Sequence, residues 1–291
     1  MRGAALAAVA VSAVLVAMKA GAYIVTGSVA MLASLADSSL DLFASSLNLF
    51  AIREALTPAD REHRFGHGKA EPLAGLAQGA FIAGSATFLV VESAGRIVSP
   101  RVVDHAPVGL AVMAVSITAV LGLVLYQRLA VARTGSIAIR ADRLHYLGDL
   151  LTNIGVALGI VLSARFGILL ADPIVGLGVA GVLAFSAWSV FRQSYDQLMD
   201  RELPDEERER IKELVRRHPE VRNLHDLRTR AAGIWKFIQL HIELDPAISL
   251  TRAHEVSDEV EGELLAAFPD AQVIIHQDPA GVERLPPLAR S

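Results

Sequence analysis

Two pairs of ionisable side chains sit where an oily chain can least accommodate them. Asp37 and Asp41 lie four residues apart in "LASLADSSLDLFASSLNLF", and His145 and Asp149 lie four apart in "RADRLHYLGDLLTN". Positions i and i+4 of a helix share one face, so each pair aims two donors at one point. An ionised Asp at the bilayer centre costs on the order of 3 kcal/mol, and two like charges side by side cost more. Such a pair persists where a cation visits. If the two segments face each other, they offer three carboxylate oxygens and one imidazole nitrogen. That set suits tetrahedral Zn2+, admits Cd2+ and Fe2+, and is poor for Ca2+, which takes six to eight oxygens. Singly, each of these residues is as readily a polar position at a helix end. Two such pairs in separate apolar segments carry the functional reading, although spacing alone does not bring the segments together.

The chain has nine histidines and no cysteine. Thiolate sites and disulfides are excluded, and Cu(I) is disfavoured as a cargo. In "TPADREHRFGHGKAE", Asp60, His63 and His67 fall within eight residues and could hold one metal through N and O donors. A solvated loop is the plainer alternative. Gly66 and Gly68 would permit a tight backbone path. Near the C-terminus, His276 and Asp278 are two apart, which on a strand puts them on the same side. His225, His241 and His254, taken one by one, read as surface or satisfied core positions.

The elements that must position these groups follow from composition. The chain is 53% hydrophobic and 20% charged over 291 residues, too apolar for an ordinary soluble domain. Net charge is -4, so no basic surface invites nucleic acid. A bilayer core about 30 Å thick needs a helix of roughly 20 apolar residues. Six stretches qualify, near 4–26, 29–56, 72–97, 106–129, 141–165 and 171–195, and the second and fifth are the most polar. Arg2 before an apolar run resembles a signal peptide, but the run continues to Ile24 and others follow, so a first span is expected instead. Eight Lys and Arg residues (Arg53, Arg61, Arg64, Lys69, Arg128, Arg133, Arg140, Arg143) cluster at the 2–3 and 4–5 connections. Three (Arg96, Arg101, Arg165) lie at the other end. The positive-inside rule then puts both termini in the cytoplasm.

Beyond about Asp200 the chain becomes charged. "LPDEERERIKELVRRHPE" has amphipathic helical spacing from near Pro204, and "VRNLHDLRTRAAG" and "WKFIQLHIELD" alternate as strands joined at Ala232–Gly233. "SLTRAHEVSDEVEGELLAAFPD" reads as a second helix and "AQVIIHQDP" as a third strand. The expected architecture is an α-helical membrane protein of six transmembrane helices (1–199). A C-terminal α+β domain of order αββαβ (200–285) and a frayed tail (286–291) follow.

"SLADSSLD", "FGHGKAE", "RADRLHYLGD", "DLRTR" and "IIHQDP", in this order on six helices and a small tail domain, resemble the cation diffusion facilitator family, in its bacterial zinc and ferrous-iron efflux type. The resemblance covers nearly the whole chain. It implies a homodimer in the bacterial inner membrane that exports divalent metal from the cytoplasm in exchange for protons. It implies a transport site of Asp37, Asp41, His145 and Asp149, a loop site of Asp60, His63 and His67, and a ferredoxin-like cytoplasmic domain. That domain's metal cluster would comprise His225, His241, His254, His276 and Asp278. It also implies that Lys69 and Asp200 interlock the subunits by charge. Zn2+ would then be both substrate and a structural or regulatory ion, with Fe2+ or Cd2+ as further substrates. His105 and His218 fall outside these sets, and Lys19, within the first apolar stretch, is not explained by them.

Two other functions compete. A membrane di-metal hydrolase would need an open coordination position and a nucleophile or HExxH motif, which the sequence lacks. A membrane-anchored metal sensor dimerising through its cytoplasmic domain leaves Asp37, Asp41, His145 and Asp149 without a role.

Overall fold

A computed structural model describes residues 1–26, 29–98, 107–166 and 171–281. The chain divides into two compact units, Met1–Tyr195 and Asp196–Ser291. His105, the start of the fourth expected span at residue 106 and the expected tail at 286–291 lie outside the described residues.

The first unit is built from six long helices: α1 (Arg2–Thr26), α2 (Val29–Ala55), α3 (Ala70–Val98), α4 (Pro107–Thr134), α5 (Ile137–Phe166) and α6 (Ala171–Leu198). By length and composition, α1, α3, α4 and α6 are apolar enough to cross a membrane, with mean hydropathy between 1.6 and 2.0. The helices α2 and α5, of 27 and 30 residues, are equally long. They are less apolar because they carry the acidic and histidine residues singled out above. Large side chains such as Phe50, Phe88, Phe185 and Trp188 are exposed, as the outer surface of a membrane bundle requires.

Inside the bundle small residues mix with large ones in the contacts, and the small ones let backbones approach. On α1, Ala4, Ala5, Ala8, Ser12, Leu15 and Lys19 are buried at spacings that form one helical stripe. Ala8 and Leu15 pack with Val120, Leu123 and Val124 of α4 and with Tyr146 and Leu150 of α5. Ala4 and Ala5 pack with Ile52, Ala74, Ala138 and Ile139 at the end of the bundle bearing the 2–3 and 4–5 connections. On α3, Ile82 and Ala86 meet Leu183 and Ala187 of α6. A Cβ at Gly75 would meet Ser194 and Ile137, and one at Gly148 would push aside the Leu183 side chain, so the helices approach closely at both glycines.

The second unit has α7 (Asp205–Arg217), β1 (Asn223–Ala232), β2 (Trp235–Leu244), α8 (Leu250–Ala267) and β3 (Ala271–Pro279), the expected αββαβ order. Asp205, Glu206 and Glu207 begin α7 and Arg216 and Arg217 end it, matching the helix dipole. The Ser249 hydroxyl accepts from the Arg252 amide at 3.2 Å to cap α8. The strands β1 and β2 are antiparallel and joined by a two-residue turn between Ala232 and Trp235. Gly233 at its first position has φ 62, as a type II′ turn demands. β3 pairs parallel to β2, with α8 making the crossover. Along β2, Ile238, Leu240, Ile242 and Leu244 are buried in the core with Ile211, Val215, Val256, Val260 and Leu264. The intervening Gln239, His241 and Glu243 therefore point to the opposite face.

Candidate metal centres

Three groups of donors come together within the two units, each with ligand atoms within 4.8 Å of one another: Asp41, His145 and Asp149; Asp60, His63 and His67; and His225, His241 and Asp278.

The first lies between α2 and α5, which do face each other. His145 Nε2 is 3.0 Å from Asp41 Oδ1 and 3.8 Å from Asp149 Oδ2. The side chains are 8%, 13% and 25% exposed for His145, Asp41 and Asp149. Asp149 Oδ2 is buried and accepts no hydrogen bond among the described residues. A buried carboxylate oxygen without a donor fits a cation ligand better than a structural acceptor. Asp37 is one turn along α2 from Asp41, is exposed, and is not part of this group. Lys19, which the motifs left unexplained, is buried and donates to Ser38 Oγ at 2.6 Å.

The second group sits between α2 and α3. Asp60 Oδ1 accepts from the backbone amides of His63 at 2.6 Å and Glu62 at 2.9 Å. These bonds, the His63 amide first, hold its carboxyl below the usual range. Its oxygens lie 3.5 Å from His63 Nδ1 and 3.5 Å from His67 Nε2. Glu54 at the end of α2, which the sequence did not single out, reaches to 3.7 Å from His67 Nε2. Gly66 has φ 78, while Gly68 is not among the positive-φ glycines. Only the first of the two was needed for the turn.

The third group lies on the sheet face opposite the core. His225, His241 and His276 occupy one row across β1, β2 and β3. The carboxylate of Asp278, 6% exposed, is at their centre. Its Oδ2 is 2.8 Å from His241 Nδ1 and 3.4 Å from His225 Nε2, and its Oδ1 is 3.1 Å from His276 Nε2. Two further acids join: Glu243 Oε1 is 3.3 Å from His225 Nδ1, and Asp226 Oδ2 is 3.9 Å from His241 Nε2. Asp226 reaches in because its own φ is 46, at the irregularity between His225 and Arg228. Neither acid could be placed from sequence without that register. His254 is not brought into this cluster. It stands on α8, 72% exposed, 3.6 Å from Asp258.

Asp200 has φ 54 at the end of α6 and lies 3.3 Å from Arg230, while Lys69 precedes α3 in the other unit. His218 closes α7 and its Nε2 is 2.9 Å from Glu259.

A bundle of long apolar helices with oxygen and nitrogen donors buried between two of them, followed by a small unit with its own histidine cluster, defines a membrane protein that handles metal cations. Residues 5–199 match the family model described as the cation efflux transmembrane domain, and residues 203–280 match the cytoplasmic domain of cation efflux proteins. The cation-efflux pump FieF of Pectobacterium carotovorum is 47% identical over 276 residues, covering 95% of this chain and 92% of that protein. FieF of Shewanella oneidensis is 47% identical over 277 residues, covering 95% and 93%. The metal-bound C-terminal domain of the CzcD transporter from Thermotoga maritima is 34% identical, covers 28% of this chain and 100% of that chain, and gives a TM-score of 0.26. The chain belongs to the cation efflux family, the cation diffusion facilitators. It is therefore a six-helix membrane transporter of metal cations with a cytoplasmic α+β domain, and not an enzyme.

Proposed function

We propose that this protein exports Zn2+ from the cytoplasm in exchange for protons, as a homodimer, by alternating access to one site formed by α2 and α5. The observation that carries this reading is the meeting of the buried His145 with the partly buried Asp41 and Asp149, where Asp149 Oδ2 accepts no hydrogen bond among the described residues. Asp37, one turn away on the same helix, completes a four-donor set of tetrahedral type when the ion is bound. Fe2+ and Cd2+ are further substrates for the same donors.

Coupling follows from the donor chemistry. Carboxylate and imidazole lone pairs take a metal ion or protons, and the ligands must be deprotonated to hold metal. Facing the cytoplasm, metal displaces protons; facing the other side of the inner membrane, protons displace metal. Rocking of helices around a site near the midplane supplies the alternation. The loop site and the cytoplasmic cluster bind further ions in a regulatory or structural role, and Lys69 and Asp200 interlock the two subunits. A passive membrane anchor for a metal sensor would have no use for ligands buried inside the bundle.

The test is metal uptake into vesicles under a pH gradient. The parent protein moves Zn2+ with an opposing proton flux, and Asp149→Ala abolishes both. Absence of metal-linked proton flux in the parent overturns the antiporter reading. Normal transport by Asp149→Ala overturns the site assignment while leaving the function in place.

A further inference from the structure

One buried acid plays no part in the site above. Asp142, on α5 and one turn before His145, is 1% exposed. Its Oδ1 accepts from Gln78 Nε2 of α3 at 3.0 Å and from Ser45 Oγ of α2 at 3.3 Å. Its Oδ2 accepts from Gln127 Nε2 of α4 at 2.6 Å. Ser45 Oγ is also 2.7 Å from the Tyr146 hydroxyl, which in turn bonds Ser12 of α1. Proton accounting fixes the direction of these bonds. Ser12 gives its proton to the Ala8 carbonyl, so Tyr146 donates to Ser12, and the Ser45 proton is shared between Tyr146 and Asp142. One carboxylate thus gathers α2, α3, α4 and α5 directly, and α1 through two hydroxyls.

Two observations give this network a direction. Between it and the end of the bundle bearing the 2–3 and 4–5 connections lies the packed layer of Ala4, Ala5, Ile52, Ala74, Ala138 and Ile139, all buried. That layer seals this end. Within the same region Asn48 Oδ1, Glu71 Oε2 and Gln127 Oε1 are buried and accept no hydrogen bond among the described residues. Three unpaired acceptors in one seam are costly in a permanently closed interior. They are explained if the seam opens to water during part of the cycle.

We propose that Asp142 is the latch of the cytoplasmic gate: its bonds to Gln78, Gln127 and Ser45 hold the helices shut beneath the transport site, and they must break for metal to enter. This rests on the alternating-access reading. Asp142 is a positioning residue that touches neither metal nor proton.

The absence of native cysteine makes the test direct. Ala5→Cys puts a thiol in the seal, and its labelling by a maleimide is followed in the purified full-length protein. Labelling is slow in this parent and about tenfold faster once Asp142→Ala is added, the population shift expected when a charge-assisted hydrogen bond is lost. Asp142→Asn, whose amide oxygen still accepts, is intermediate. Gln127→Leu also accelerates labelling. Ala187→Cys, in the α3–α6 contact, labels at an unchanged rate in each background, which separates a local gate from general loosening. Metal affinity at the transport site stays within about threefold while turnover falls. Equal labelling of Ala5→Cys in the parent, in Asp142→Ala and in Gln127→Leu overturns the latch. So does acceleration at both cysteines. If Asp142→Ala does not fold, Gln127→Leu decides alone. Metal uptake by the Ala5→Cys parent reports separately on the export reading, whose failure leaves the labelling rates standing as a measure of the seam.

Discussion

Asp278 shows how much a single carboxylate can organise. It is buried on a sheet face, yet three imidazoles of β1, β2 and β3 point at its two oxygens. Nitrogen and oxygen donors converging in this way are a ligand set that a dication would share. Asp278→Asn in the full-length protein is therefore expected to weaken Zn2+ binding by the second unit at least about tenfold, read by equilibrium dialysis with Asp149→Ala as the background. His254→Ala, at a residue standing apart on α8, has a smaller effect. An equal loss in both variants would show that His254 reaches the cluster by a route outside this protomer.

At the scale of elements, α7 and α8 are tied by side chains rather than by apolar packing alone. His218 at the end of α7 bonds Glu259 of α8, and Arg252 of α8 bonds Glu220, Glu255 and Glu259. The bond from His218, then that from Arg252, holds the Glu259 carboxyl below its ordinary range. The sign of the consequence is fixed by linkage. A depressed folded-state carboxyl contributes stability above its unfolded value and loses it as pH falls through the folded value. Thermal unfolding of Glu259→Gln is thus expected at lower temperature than the parent near neutrality. The difference closes on acidification through and below the carboxylate range. A difference that stays constant across that range would overturn the linkage. The helices of the bundle were readable in the sequence because each is a long, largely apolar run, and β2 because it alternates. Glu54, Asp226 and Glu243 were not, since a hairpin register, a left-handed residue and a loop path decide what they meet. Asp142 was hidden for a different reason: a lone Asp near the start of a helix looks like a solvated end until Gln78 and Gln127 arrive from two other helices.

For the molecule as a whole, six spans imply that both ends of the chain lie on one side of the membrane. Reporter fusions at residue 1 and at residue 281 should give the same sidedness, and a fusion in the connection between α3 and α4 the opposite one. Unlike sidedness of the two ends would remove one span. The helices most at risk are α2 and α5, whose polarity comes from the acidic and histidine side chains they carry.

The row of histidines across the sheet also constrains how the protein is made. The hairpin of β1 and β2 forms from neighbouring residues, but the acid at the centre of the cluster is on β3, after the whole of α8. As the chain emerges from the ribosome, His225 and His241 are exposed long before Asp278 exists to complete their site. The full donor set therefore exists only once nearly all of the second unit has been synthesised and the last strand has docked.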